Sequence, residues 1–364
     1  MKILVVQDHL RSGGTERQSI LLTRAFGAEG HHVRLLTFRP GGTLAPQARD
    51  LPWVSLQPFD TGLDWFAPDL KRAVRRFDPD AILCMGRMAN CRAGALLRAA
   101  PRAAVLCTLR TGKPLPWLFR RALLRVDHVV ANSDEARQTL EQQHRVPAER
   151  ISVIHNSLVF TATRPPEAEV RALRTAQGAS PSTRVLVSVA MFRREKRQRD
   201  LIATVAGLPD SLDWQLWLAG DGPTLAACRR FVAQQRLDTR VKFLGWQRNP
   251  SLLYAAADLA VHASSSEALS NFLIEAQFNG LPAVAYDAQG ISECFLPGDT
   301  GEVIPRDDAT AFRAAVMRFL LAPEAERSAR ADRARAFARD RFDPIRQARA
   351  YLDLFQRLVH PTPP

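Results

Sequence analysis

Two glutamates, Glu267 and Glu275, stand in the run Ser266-Glu267-Ala268-Leu269-Ser270-Asn271-Phe272-Leu273-Ile274-Glu275, just after an apolar stretch that ends at His262. Ser270 occupies an N-cap position, which predicts a helix from Asn271 to Asn279 with Gly280 and Pro282 as its stop. Glu267 then lies in the turn before that helix and Glu275 about one and a half turns into it. Both carboxylates can address one cleft with the helix start between them. Carboxylates accept hydrogen bonds from sugar and ribose hydroxyls, and the free N–H groups of a helix start suit phosphate. Glu267, Ser270, Asn271, Phe272 and Glu275 together therefore fit a ligand that carries a sugar, a phosphate and a ribose. The other reading makes Glu275 a surface residue, which its apolar flanks oppose.

Cations and glycines occupy comparable places after other apolar runs. In Ala190-Met191-Phe192-Arg193-Arg194-Glu195-Lys196, Arg193 and Lys196 are three apart near a helix start and can clamp a diphosphate leaving group; the segment can equally be a solvated charge run. Gly220 and Gly222 in Ala219-Gly220-Asp221-Gly222-Pro223 either let a ligand approach the backbone or close a turn. Ser12-Gly13-Gly14-Thr15 opens a helix that carries Glu16, where exposed amides suit phosphate and paired glycines also serve an ordinary turn. This is not G-x-G-x-x-G, which argues against a dinucleotide enzyme.

These turns need a scaffold, and the hydrophobic pattern supplies one. Apolar strands alternate with amphipathic helices, the pattern of a parallel sheet covered on both faces. Strands are expected at Ile3 to Val6, Val33 to Phe38, Trp53 to Leu56, Ala81 to Cys84, Ala104 to Leu109, His128 to Ala131 and Ile151 to Ile154, with a helix from Glu16 to Ala28 stopped by Gly30. A linker is read in Asn156 to Pro181. The second half repeats the scheme at Val185 to Val189, Gln215 to Leu218, Val241 to Leu244, Leu259 to His262 and Ala283 to Ala285, and the chain is read as helical after Val303. Glu324 to Arg341 is expected as a solvated helix, and Pro344 to Val359 as a helix that returns to the first domain. In such sheets ligands sit beyond the C-terminal ends of the strands, where the turns above fall.

A chain of 364 residues with 46% hydrophobic content is long enough for two domains. Its five cysteines form no C-x-x-C pair and are odd in number, so neither a disulfide framework nor a zinc site is expected, and a reducing compartment fits. The N-terminal apolar run stops at Gln7 and Asp8, too short for a signal peptide, so a soluble or peripheral protein is expected. The net charge of +13 points to an anionic partner or to the arginine usage of a GC-rich genome. About +9 of it falls in roughly the first 160 residues. Lys71, Arg72, Arg75 and Arg76 form one helical face there, and Trp117-Leu118-Phe119-Arg120-Arg121 with Arg125 is a second basic run. Either can dock on anionic lipid or be plain solvated surface. No nucleic-acid module is recognisable, so nucleic acid is not an expected partner.

The motifs, taken in order, resemble the retaining glycosyltransferases of family 4. Gly13-Gly14 with Glu16 resembles the G-G-x-E of that family; Val126-Asp127 through Asn132-Ser133 resembles A-D-x-v-x-x-S, and Ile151 to Asn156 resembles I-x-V-I-x-N. Arg193 and Lys196 fall in R-x-x-K, Gly220 and Gly222 in G-x-G-P, and Glu267 and Glu275 in E-x7-E. The resemblance implies a GT-B fold, α/β: two doubly wound Rossmann-like domains facing a central cleft, with a C-terminal helix crossing back to the first. The expected domains are residues 1–160 for the acceptor, 161–342 for the nucleotide sugar, and 343–364 as the returning helix.

The same resemblance implies a metal-independent, retaining hexosyltransferase that uses a UDP- or GDP-sugar as co-substrate, with no other cofactor. The acceptor is expected to be a glycan or lipid-linked saccharide of bacterial cell-surface polysaccharide or lipopolysaccharide synthesis. The location is cytoplasmic, with the inner face of the membrane as a candidate docking site. By likeness, Glu267 contacts the donor sugar, Glu275 the ribose, Arg193 and Lys196 the diphosphate, and Phe243 to Gly245 the base; Arg110 and Glu16 fall on the acceptor side. Retention is explained in the family by same-face substitution, the donor phosphate taking the acceptor proton, so no protein base is required. The only D-x-D, Asp78-Pro79-Asp80, precedes a strand and is read as a corner, not a metal site. Ala190 and Met191, Ala268, and Arg110 depart from the usual glycine-arginine, glycine and histidine. An epimerase or a non-catalytic sugar-nucleotide binder of the same fold is the alternative.

Overall fold

In the computed structural model, residues 1–158 and 165–360 are described. The expected boundary at 160/161, part of the linker and residues 361–364 lie outside them. The chain divides into two compact units, Met1–Val159 with Asp343–Pro364, and Phe160–Phe342.

The first unit holds β1 (Lys2–Gln7), β2 (His32–Thr37), β3 (Trp53–Ser55), β4 (Ala81–Cys84), β5 (Ala104–Leu109), β6 (His128–Ala131) and β7 (Ile151–Val153). They pair in parallel in the order β3-β2-β1-β4-β5-β6-β7. β4, β5 and β6 are buried along their whole length, as parallel strands with both faces covered must be. The period of two sorts their side chains. Leu4, Val6, Ile82 and Val105 pack on one face under the helices Leu70–Phe77, Ala93–Ala99 and Trp117–Leu123, while Ile3, Val5, Leu83 and Leu106 pack on the other. The second face is closed by the helix Gly14–Ala28 and by Pro344–Val359. Tyr351 and Phe355 of the latter are fully buried, edge-on to Phe26 or nearly so, with ring centroids 6.3 and 5.6 Å away. The C-terminal helix therefore belongs to the core of the first unit.

The second unit holds β8 (Arg184–Val189), β9 (Trp214–Ala219), β10 (Val241–Gly245), β11 (Leu259–His262), β12 (Ala283–Tyr286) and β13 (Gly301–Ile304), parallel in the order β10-β9-β8-β11-β12-β13. Both orders run outward from a first strand, reverse, and run outward again, which defines a doubly wound sheet with one switch point.

Two expectations are corrected. The chain is not helical straight after Val303, and the expected strands lack one, because Gly301–Ile304 forms the edge strand β13; Gly301 is required there, since a Cβ would fall 2.4 Å from the Phe295 ring. The Arg/Ala-rich helix Glu324–Arg341 is not wholly solvated: Ala334 and Ala338 are fully buried, and the helix packs against Asn271–Phe278. Its alanines permit that close approach. Asp78-Pro79-Asp80 is the expected corner, with Asp78 in the left-handed region at φ 52° and Asp80 accepting from the Lys2 amide at 2.7 Å.

Candidate functional site

The order of the second sheet puts β8 between β9 and β11, so its switch point lies between β8 and β11. The turns after these strands are joined. Ala190 N donates to Ala219 O at 3.0 Å, Phe192 N to Asp221 O at 2.9 Å, and Gly220 N to Gly245 O at 2.7 Å. Gly220 and Gly222 have φ of 140° and 149°, and a Cβ on them would fall 2.0 Å from Ala190 O and 2.4 Å from Phe192 O. Both glycines are therefore demanded by the neighbouring turn before any ligand is considered. Gly245 has φ 67° but open space around it.

On the other side, Ser265 N donates to Glu195 O at 2.8 Å, fixing the short 3-10 turn Arg194–Lys196 against the loop after β11. Across this seam the Lys196 ammonium pairs with Glu267 Oε1, and His262 Nε2 lies 2.9 Å from the same oxygen. An ionised carboxylate only accepts, so His262 Nε2 carries the proton and donates it. Burial pushes the Glu267 carboxyl up, but Lys196 and His262 outweigh it and hold the group at about 2. Burial pushes His262 down, keeping it neutral. Arg193, half-buried in an extended conformation, has no side-chain hydrogen bond or ion pair among the described residues.

The helix after Glu267 runs Asn271–Phe278. Ser270 stands at its N-cap but forms no side-chain capping bond, contrary to the role expected of its hydroxyl; its φ, ψ of −88°, 106° are extended, and its carbonyl takes the Ile274 amide at 3.2 Å. Glu275 is 8% exposed and accepts from the Tyr254 hydroxyl at 2.9 Å. Phe272, from the first turn, lies between the two supports, with its ring 5.7 Å from His262 and 6.0 Å from Tyr254. His262 and Tyr254, not singled out from the sequence, thus brace the two glutamates through one aromatic ring. His262 was legible as a polar residue ending an apolar strand; Tyr254 gave no signal.

In the first unit the switch point lies between β1 and β4. Gly13 is the N-cap of the helix Gly14–Ala28, and a Cβ there would fall 2.3 Å from Glu16 Oε2, so Glu16 folds back over the turn. Asp8 was missed from the sequence. It accepts from the amides of Met88 and Ala89 at 3.0 and 2.7 Å, and burial pushes its carboxyl up to about 6. Arg110, after β5, is engaged by Asn156 Oδ1 and by the Tyr351 hydroxyl, the latter at 2.8 Å. It ties the end of β5 to the C-terminal helix. A second tie joins Gln347 Nε2 to Gln18 Oε1 and His155 O, both at 2.8 Å, and Ser157 Oγ to Gln347 Oε1 at 2.7 Å. In the second basic run, Trp117 and Leu118 are exposed, Phe119 is buried, and the Arg121 guanidinium lies 5.3 Å from the Trp117 ring.

Residues 170–337 match the family model of glycosyl transferases group 1, and residues 12–158 match that of glycosyltransferase family 4. Both halves are glycosyltransferase domains. The chain is 33% identical over 138 residues to N-acetyl-alpha-D-glucosaminyl L-malate synthase of Bacillus anthracis, which covers 38% of this chain and 36% of that protein. It is 32% identical over 210 residues to the lipopolysaccharide core biosynthesis glycosyltransferase LpsD of Rhizobium meliloti, covering 57% and 58%. The chain thus spans about a third to three-fifths of the length of these relatives. The fold is that of Anabaena HepE crystallised with UDP-glucose, at a TM-score of 0.84 and 22% identity over 98% of this chain and 99% of that one. In the group 1 domain lie Arg193, Lys196, Gly220, Gly245, Glu267, Ser270, Asn271, Phe272 and Glu275; Gly13, Gly14, Glu16 and Arg110 lie in the family 4 domain. No helix among the described residues is long and apolar enough to cross a membrane.

Proposed function

We propose that the chain is a retaining glycosyltransferase that moves a hexose from a UDP- or GDP-sugar to a glycan or lipid-linked acceptor of bacterial cell-surface polysaccharide synthesis, on the cytoplasmic side of the membrane. The observation that carries this reading is the Lys196–Glu267–His262 cluster at the switch point of the group 1 domain. Glu267, kept ionised, offers acceptor oxygens to the sugar hydroxyls. Arg193 and Lys196, with the helix start at Asn271, meet the diphosphate; Glu275 takes the ribose, and the end of β10 faces the base. The anomeric C–O bond to the diphosphate breaks as the acceptor oxygen bonds to the same face. The acceptor proton passes to the departing phosphate oxygen, so the protein contributes charge and orientation rather than a base. Metal independence fits the corner position of Asp78-Pro79-Asp80, at the N-terminal edge of β4.

The test is transfer by the purified protein with a panel of UDP- and GDP-sugars, with and without EDTA. Arg193→Ala and Lys196→Ala are each expected to lower turnover by on the order of a hundredfold or more, as loss of a preorganised charge at a leaving group does. EDTA should leave turnover intact. Wild-type turnover in both variants would remove the cation clamp, and conversion of the donor to an epimer or no turnover at all would remove the transferase reading.

A further inference from the structure

The loop between β3 and the helix Leu70–Phe77 holds apolar rings in solvent. Phe59, Leu63, Trp65 and Phe66 are 69%, 42%, 56% and 39% exposed, while Gln57 is fully buried beneath them. Gln57, with no exposure, donates to Leu63 O at 2.9 Å and to Phe66 O at 2.6 Å. Its Oε1 accepts from Thr61 N at 3.2 Å and Thr61 Oγ1 at 2.7 Å, so all four hydrogen-bonding sites of one buried amide are spent on this loop. The Arg39 guanidinium grips Asp60 with two bonds of 2.7 and 2.8 Å and Asp64 with a third of 2.7 Å, and Arg11 pairs with Asp64 as well. A loop free to relax would collapse its aromatic rings onto the protein. This one is held so that they stand in solvent, and such a patch marks a surface that something covers.

What covers it is indicated by the charge beside it. An open groove of about 880 Å³ adjoins the loop, lined by Lys71, Arg72, Arg75, Arg76 and Arg92 against the single acid Asp69. Arg92 joins the two features by donating to Trp65 O at 2.8 Å. Apolar rings next to a dense cationic groove match the layered chemistry of an anionic lipid leaflet, in which acyl chains lie just beneath phosphate head groups. Arg11 and Arg39 belong to the turns after β1 and β2, so the loop is laced to the edge of the sheet that also carries Gly13 and Glu16.

We infer that the Phe59–Phe66 loop and the groove beside it form one interfacial surface that docks this domain on anionic lipid, the rings entering the leaflet and the groove taking lipid phosphates. The inference rests on the transferase reading and narrows the proposed acceptor class to molecules presented at a bilayer, and vesicle binding tests it without any donor or turnover.

Sedimentation of the purified full chain with phosphatidylcholine vesicles, with and without phosphatidylglycerol, reads it directly. Binding is expected only with phosphatidylglycerol and is expected to fall with salt. Trp65→Ser with Phe66→Ser, and separately Lys71, Arg72, Arg75 and Arg76 changed to Gln, should each weaken it by about tenfold or more. Nucleoside diphosphate affinity, which reports a folded second unit, should not change in either. Brominated lipid should quench tryptophan fluorescence in the wild type and much less in Trp65→Phe. Absence of wild-type binding at moderate salt would overturn the proposal. So would binding indifferent to Trp65 and Phe66, or variants that lose only affinity for a soluble saccharide, which would make the rings a sugar platform. Failure of donor turnover with vesicle binding intact would count against the transferase reading alone.

Discussion

The pairing of Lys196 with Glu267 changes what substitution of either residue tests. Lys196 cannot serve a diphosphate fully while it neutralises Glu267, so the donor must divide the pair between its phosphate and its sugar. Glu267→Gln keeps an acceptor for His262 and removes the charge that holds Lys196 back. It is expected to leave nucleoside diphosphate affinity undiminished while lowering donor turnover, where orientation of the sugar matters. Glu275→Ala should weaken nucleoside diphosphate and donor alike, by about tenfold or more for a lost charge-assisted hydrogen bond. Calorimetry with nucleoside diphosphate and with donor separates the two. Loss of nucleoside diphosphate binding in Glu267→Gln but not in Glu275→Ala would reverse the assignment. Sequence reasoning reached the two carboxylates because their spacing around a helix start is a local property. It did not reach the ion pair, because Lys196 and Glu267 are 71 residues apart and meet only when β8 and β11 lie side by side.

At the scale of elements, local periodicity was a good guide wherever burial was complete. β4, β5, β6 and β11 begin and end where the apolar runs do, and so does the helix Pro344–Val359. β13 was missed because four residues with a leading glycine and an exposed edge carry no periodicity of their own; pairing with β12 makes them a strand. The site helix has a similar dependence. Its C-terminal stop, Gly280, has φ 78°, and a Cβ there would fall 2.6 Å from the Arg335 guanidinium carbon of the backing helix Glu324–Arg341. Gly280→Ala should cost about 1–2 kcal/mol through the left-handed conformation alone, and Gly280→Asn less, since asparagine tolerates it better. Thermal unfolding checks both, at roughly 2–4 °C per kcal/mol for a cooperative unit the size of Phe160–Phe342. Equal loss in the two variants would point to crowding by Arg335 instead.

At the scale of the whole molecule, the return of the chain to its first unit rests on a few polar contacts as well as on apolar area. Gln18, Ser157 and Gln347 are all buried, and each satisfies another. Gln347→Leu keeps the volume roughly but removes the bonds that Gln347 makes to Ser157 Oγ, Gln18 Oε1 and the His155 carbonyl, so it should destabilise by about 1–3 kcal/mol. Urea titration would show it, and limited proteolysis near Asp343 should accelerate. Unchanged stability would mean that the packing of Tyr351 and Phe355 suffices. The amphipathic pattern of Pro344–Val359 was legible in the sequence; these polar ties were not, because glutamine and serine have no period and partners 139 to 329 residues away leave no local mark.

That closure by a late segment also has a timing. The first unit to leave the ribosome cannot be finished when its own strands are made, because Tyr351 and Phe355 are still to be translated. The second unit is continuous in sequence and has all its parts by Phe342. Domains usually fold in the order of their synthesis; here the half begun second can be completed first, and the half begun first must wait with one face of its sheet only partly covered, by the helix Gly14–Ala28. A chain cut short before Asp343 would carry an intact second unit and a first unit with its core open to chaperones and proteases, so only product that includes the helix Pro344–Val359 leaves synthesis with both halves closed.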